Sequence, residues 1–191
     1  MALPLIVRGD VNRLTRDLDF FAESPDAVDR CLPALEQALG ANGLRVERRQ
    51  IGHGFARLVV QGEGEETIID LGADARLLPA EKTAHGLVLS SKELAIDKVL
   101  AIFGRAEARD FVDLAVLEPR YGLVDLLRQA AEKDPGFQPQ VFRQMLGRFR
   151  RLQRDEFEVD DGTYESLVQT VARWTTSVDL AVQDTGSEES S

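Results

Sequence analysis

Residues that form cross-links or bind soft metals are scarce in this sequence. It has one cysteine, Cys31, and two histidines, His53 and His85. This composition excludes an internal disulfide and argues against a zinc site. No apolar run reaches the ~20 residues that span a bilayer, and no signal-peptide pattern is visible. A lone thiol suits a reducing compartment, so we expect a cytoplasmic protein.

The charge balance is acidic, with a net charge of -10 over 191 residues. Such a chain is not expected to coat nucleic acid non-specifically, although a local basic groove stays possible. Hydrophobic residues make up 43% and charged residues 29%, as in globular domains. The length predicts one domain, or one domain with a helical extension.

Periodicity predicts an α/β (α+β) fold, with a mixed sheet in the first half of the chain. A helix is expected to begin at Pro25 and to end at the glycines of residues 40–43, because leucines recur there at helical spacing. The predicted strands are residues 16–22, 44–51, 55–61 and 67–74, the last one closing on Asp70.

The second half is predicted to be helical. Ser90 and Glu93 form a capping-box pattern at the start of its first helix. The expected helices are residues 90–105, 109–120, 123–134, 139–154 and 162–182. Tyr164, Leu167, Val168, Val171 and Trp174 form the predicted buried side of the last one. We therefore divide the chain into a core of residues 1–89, a helical part of residues 90–182 and a disordered acidic tail of residues 183–191.

Asp17 and Asp19 are the most informative pair in the sequence. They alternate with Leu18 and Phe20 in a predicted strand, so both carboxylates project from one face of the sheet. Two anions this close favour a cation between them, and Mg²⁺ prefers carboxylate oxygens together with substrate phosphates. The alternative is a solvated acidic loop. The apolar neighbours favour the metal pair.

Lys98 shares a helical stripe with apolar residues. It either extends to the surface or points into a cleft where its charge is used. Asp110 and Asp113 lie three residues apart and face the same way, so one of them can pair with Lys98 or Arg109. The alternative to a functional role is that Lys98 and one of these aspartates form a structural salt bridge.

Two blocks of sequence together resemble a known family. The first is RLTRDLDFF, with Arg13, Thr15, Asp17, Leu18, Asp19 and Phe20. The second is KELAIDKVLAIFGRAEARDFVDLAVL, with Lys98, Arg109, Asp110, Asp113 and Leu114. Over about residues 1–118 the chain resembles the nucleotidyltransferase superfamily, and more closely its AbiEii-type branch of bacterial toxins, whose members are paired with an antitoxin.

The resemblance implies site residues and a cofactor. Asp17 and Asp19 would hold Mg²⁺, and Asp70, matched by position and a third predicted metal ligand, would bind a second metal ion or accept the proton of the acceptor hydroxyl. Lys98 and Asp113 would act on the triphosphate of the NTP substrate. Arg13 and Thr15 would lie beside the phosphates. Thr15 is also a candidate position for regulation by the antitoxin.

The start of the sequence departs from the family pattern. Relatives have a Gly-Gly or Gly-Ser turn shortly before the Asp pair, where backbone N–H groups cradle phosphates. Residues 1–12 contain no such pair, and Gly9 comes too late to replace it. We expect either that an N-terminal strand and this turn are missing, or that nucleotide is bound without them.

Arginines crowd the predicted helix of residues 139–154. On that helix they would form a basic stripe able to contact an RNA backbone; the alternative is a solvated face paired with nearby acids. The resemblance favours the 3′ end of tRNA as acceptor. The arginines are Arg143, Arg148, Arg150, Arg151 and Arg154.

Three functions remain open at this stage. The first is a toxin that transfers a nucleoside monophosphate to RNA and so blocks translation. The second is a small-molecule nucleotidyltransferase of the antibiotic-modifying type. The third is a degenerate, non-catalytic binding protein of the same fold. Retention of like charges at Asp17 and Asp19 argues against the third, because repulsion between them is costly.

Overall fold

The structure is a computed structural model that describes residues 17–84 and 86–188, with side chains through residue 181. The chain divides into two compact units at Val88 and Leu89. The first unit contains the sheet, and the second is helical.

The first unit is built on a four-stranded mixed sheet. The strands of this unit are β1 (Asp17–Ala22), β2 (Arg45–Gly52), β3 (Phe55–Gly62), β4 (Glu65–Ala73), β5 (Glu81–Thr83) and β6 (Gly86–Val88). The order in the sheet is β1-β4-β3-β2, with β1 parallel to β4 and the other pairs antiparallel. Among the described residues, β5 and β6 form a separate two-stranded hairpin. The predicted α/β fold class is confirmed, and β4 begins two residues before the predicted segment of residues 67–74.

Helix α1 (Pro25–Ala41) covers one face of this sheet. Ser24 caps it by accepting a hydrogen bond from the backbone N–H of Ala27, which satisfies a donor that a helix start leaves unpaired. Val28 and Leu32 of the helix pack against alternate residues of β3 and β4, because a strand sends every second side chain to the same face. The buried strand residues are Ala56, Leu58, Val60, Ile69 and Leu71.

The turn between β2 and β3 requires a glycine. Gly54 has a φ of 73°, and a Cβ at this position would lie 2.6 Å from the side chain of Pro25. Its N–H donates to a carboxylate oxygen of Asp29 at 3.1 Å. The backbone conformation and the close approach together exclude larger residues there.

The second unit contains five α-helices and three short 3₁₀ segments in its described part. Ser90 caps the first helix as predicted, accepting a hydrogen bond from the N–H of Glu93. Leu94, Val99, Ile102, Phe111 and Leu114 are all fully buried in its core. The α-helices are α2 (Ser91–Gly104), α3 (Ala108–Leu117), α4 (Leu123–Lys133), α5 (Pro139–Leu146) and α6 (Asp161–Glu188).

The single helix predicted for residues 139–154 is wrong. Helix α5 stops at Leu146 and is followed by 3₁₀ segments at Gly147–Arg151 and Arg154–Phe157. Glycine is a poor helix former, which favours a break at Gly147. Phe149 then packs among three aromatic rings, with ring centroids 5.0 to 6.0 Å away, which stabilises the tighter turn.

The last helix also differs from its prediction. Val168, predicted to be buried, is 43% exposed, whereas Val178 is fully buried. The buried stripe follows Leu167, Val171 and Trp174, which are three or four residues apart. The helix continues to Glu188 and so includes most of the segment predicted as a disordered tail. Extending a helix that is already formed costs much less than starting one.

Candidate active site

A row of acidic residues crosses the face of the sheet opposite α1. Asp19 of β1 is in register with Asp70 of β4 in the parallel pair. Residues in register have their side chains on the same face, and Asp17 lies on that face because it is two residues before Asp19. The backbone therefore brings together the three carboxylates that the sequence singled out, which we call the carboxylate row.

Arg57 of β3 completes this row. It is the antiparallel partner of Asp70, and its guanidinium donates to both carboxylate oxygens of Asp70, at 2.7 and 2.6 Å. The hydrogen bonds and charge of Asp70 raise the pKa of Arg57, with smaller contributions from the charges of Asp19 and Asp17. The charge of Arg57 thus interacts with all three carboxylates, although its ion pair is with Asp70. The sequence reasoning missed it, although a lone basic residue in the apolar strand FARLVV was an available signal.

The chemistry of the row fits a hard divalent cation, since carboxylate oxygens are the ligands that Mg²⁺ prefers. The row is not gathered around one point, however. Among the residues that the structure describes, the acidic and histidine group whose ligand atoms lie within 4.8 Å of one another is Asp26, Asp29 and His53, all exposed. Asp70 instead directs both oxygens to Arg57. The structure thus places the three predicted metal ligands on one face, and the binding of Mg²⁺ by Asp17, Asp19 and Asp70 stays a prediction.

Lys98 is buried inside the second unit, with 1% of its surface exposed. Its Nζ lies 2.7 Å from Asp113 and 3.4 Å from Asp110. Both carboxylates are completely buried. Lys98 thus pairs with two acids of α3 and does not extend to the surface, which is the geometry of a buried ion network.

Asp110 joins two further groups to this network. Arg105 donates two hydrogen bonds to its carboxylate, both at 3.0 Å, and the N–H of Glu107 donates a third at 3.3 Å. Burial raises the pKa of Asp110, but the hydrogen bonds from Arg105 and the charge of Lys98 outweigh it. The pKa of Asp110 therefore lies below its ordinary value, and the carboxylate is charged at neutral pH.

Comparison with protein families shows which family the chain belongs to. The model of the family described as nucleotidyl transferase AbiEii toxin, type IV toxin–antitoxin system, matches residues 1–173. The chain belongs to this family. The resemblance inferred from the sequence is confirmed, and membership implies an antitoxin partner. A comparison with curated proteins gives no match.

Two site residues predicted for this AbiEii chain, Arg13 and Thr15, lie outside the described residues, as does the segment in which a glycine turn was sought. Their contact with the triphosphate stays a prediction. No helix of the described chain is long and apolar enough to cross a membrane.

A second buried ion group in the AbiEii chain was missed by sequence reasoning. Lys133, at the end of α4, contacts Glu93 at 2.7 Å and also Asp97, and all three side chains are at most 5% exposed. Glu93 and Asp97 are four residues apart on α2 and so share a face. An acid pair at this spacing, next to Lys98 in an apolar helix, was the available signal.

The arginines of the AbiEii chain do not form one helical stripe. Arg143 pairs with Asp179 at 2.9 Å, and Arg154 pairs with Asp161 at 2.8 Å. The remaining three lie exposed on the 3₁₀ segment, and none has an ion pair or hydrogen bond within the described structure. We call them the arginine turn: Arg148, Arg150 and Arg151.

Proposed function

We propose that this AbiEii toxin transfers a nucleoside monophosphate from an NTP to an RNA acceptor, the 3′ end of a tRNA, with Mg²⁺ as cofactor. The observation that carries the proposal is the carboxylate row, in which Asp17, Asp19 and Asp70 share one face of the sheet. Blocked aminoacylation or translation would be the toxic consequence, and the antitoxin would restrain it.

Asp17 and Asp19 would hold the Mg²⁺ ion, which supplies charge neutralisation of the triphosphate when bound. In the transfer, the acceptor hydroxyl oxygen forms a bond to the α-phosphorus while the bond from that phosphorus to the bridging oxygen breaks. Pyrophosphate leaves, and the hydroxyl proton is lost to water. Positioning and electrostatics account for most catalysis of this type.

The roles of Lys98 and Asp113 toward the triphosphate follow from the family resemblance alone. Lys98 is enclosed by two carboxylates in the second unit, so its first contribution is to the packing of α2 against α3. A variant that replaces the ion pair by apolar side chains would keep this packing and remove the charge. It would separate the structural role of Lys98 from a role toward the triphosphate.

The test is transfer of label from each of the four α-labelled nucleoside triphosphates to total tRNA, with Mg²⁺ or with EDTA. We expect labelling with at least one nucleotide in Mg²⁺ and none in EDTA. Mapping the label by nuclease digestion should locate it at the 3′ end. Labelling of an aminoglycoside but not of tRNA would favour the small-molecule enzyme, and no labelling of either, with antitoxin binding retained, would favour the non-catalytic protein.

The RNA contact is proposed for the arginine turn. Replacement of Arg150 and Arg151 by alanine should weaken tRNA binding and lower the slope of log K against log salt by about 1.4 to 1.8, because each of the two phosphate contacts contributes about 0.7 to 0.9. Filter binding at several salt concentrations measures both quantities.

A charge-matched control for this prediction replaces Arg30 of α1 and Arg128 of α4, two exposed arginines on other elements. It removes the same net charge and should leave the salt slope within error of the unchanged protein. Equal losses in both double variants would mean that net charge, not the arginine turn, governs binding.

A further inference from the structure

Arg57 holds the carboxylate of Asp70 from the strand on the side away from Asp19. Asp70 sits between Asp19 on one neighbouring strand and Arg57 on the other. Adjacent strands are about 4.8 Å apart, so a cation placed between Asp19 and Asp70 would compete with Arg57 for the same carboxylate. The side chain of Asp70 is 16% exposed and that of Arg57 is 46% exposed, so the guanidinium reaches Asp70 from the solvent side.

Arg57 and Asp70 form a short, bidentate ion pair. Two parallel N–H groups meet two carboxylate oxygens at 2.7 and 2.6 Å, which is the strong bidentate form of an arginine–carboxylate contact. Arginine does not lose its proton at any ordinary pH. The row therefore has a permanent positive charge of its own, fixed at Asp70 and next to Asp17 and Asp19.

We propose that Arg57 replaces a second metal ion, holding Asp70 so that the row binds a single divalent cation on Asp17 and Asp19. This inference rests on the proposed function. Arg57 is then a positioning residue: it neutralises Asp70, keeps that carboxylate away from the metal and leaves its remaining N–H groups and charge available to the triphosphate.

The matched experiment counts bound Mn²⁺ by electron paramagnetic resonance in the full chain without nucleotide. We expect one ion per unchanged chain and none for Asp19→Asn. Asp70→Asn should leave one ion, bound more weakly because the charge of Arg57 is then no longer neutralised. Arg57→Met keeps the aliphatic stem but removes the charge, so the carboxylate of Asp70 is released from Arg57 and can bind a second ion, and the count should rise to two.

The double variant Arg57→Met with Asp70→Asn should return the count to one. Arg48→Met is the control, because Arg48 makes an equally close bidentate contact with Glu36, at 2.6 and 2.6 Å, elsewhere in the same unit. It removes the same charge and should leave the count at one. Circular dichroism of each variant checks that it is folded.

Two results overturn the inference and leave the proposed function standing. One is a count of two in the unchanged protein that falls to one in Asp70→Asn, since Asp70 would then already be a metal ligand. The other is a count of one in Arg57→Met at saturating Mn²⁺. A result in which Asp19→Asn binds as much Mn²⁺ as the unchanged chain would instead contradict the metal site itself, and both proposals with it.

Discussion

Replacement of Asp19 by asparagine should lower nucleotide transfer by about a hundred- to a thousandfold, the usual cost of losing one group that stabilises transition-state charge. The loss is expected in kcat, because Asp19 would help to hold a cation whose charge is needed most when negative charge moves to the departing pyrophosphate. Toxicity on expression in bacteria should disappear with it. Asparagine has the same shape as aspartate, so the strand and its register with β4 should be kept.

The stability of this variant distinguishes a catalytic carboxylate from a structural one. Removing one of several like charges from the carboxylate row should leave the free energy of unfolding within about 0.5 kcal/mol, or raise it. Urea unfolding followed by circular dichroism measures this quantity.

Glu66→Gln is the matched control for Asp19→Asn. Glu66 is an exposed acid near the start of β4, four residues before Asp70, and its replacement removes the same charge while keeping Asp17, Asp19 and Asp70. It should transfer nucleotide at the unchanged rate. If Asp19→Asn loses activity only because it unfolds, the pair of Asp17 and Asp19 has a structural role and not a catalytic one.

The second large effect is expected in stability. Lys98→Met should lower the free energy of unfolding by about 3 to 5 kcal/mol, since it leaves Asp113 buried without its cation. Asp110 is less affected because Arg105 still donates two hydrogen bonds to it. Urea unfolding again gives the measurement.

A double variant tests the cause of this loss. Lys98→Met with Asp113→Leu replaces the ion pair by apolar side chains of similar size, which in buried pairs is often neutral or stabilising. Most of the lost stability should return. If the folded double variant fails to transfer nucleotide, the pair of Lys98 and Asp113 is needed for the reaction as well as for the fold.

Lys92→Met provides the comparison on the same helix. Lys92 pairs with Asp125 at 2.8 Å, but both side chains are about one-third exposed, so its loss should cost at most about 1 kcal/mol. Equal effects of Lys92→Met and Lys98→Met would contradict the difference in burial on which the prediction depends.

Most of the secondary structure of the first unit follows from local pattern. Alternation of apolar residues predicts β3 and β4, and the spacing of Val28 and Leu32 predicts α1. Asp17 and Asp19 share a face for a purely local reason, their separation by one residue. These features depend on neighbours in sequence, which is why they can be predicted without a structure.

The missed features depend on contacts between distant segments. Arg57 meets Asp70 because of the register of two strands, and register is not encoded at either residue alone. The direction of Lys98 was open because a lysine on an apolar stripe can extend outward or pair inward. The break after Leu146 depends on the aromatic packing of Phe149, which overrides the helical periodicity of the segment.

The parallel pairing of β1 with β4 has a consequence for the order in which the protein folds. β2, β3 and β4 are joined by short turns and can pair while they are close in sequence, whereas Asp17 and its partner Ile68 are about fifty residues apart. Contacts of long sequence separation form late, since closing the loop costs entropy first. During synthesis, Asp17 and Asp19 therefore leave the ribosome before β4, and the carboxylate row is assembled only after β4 has emerged.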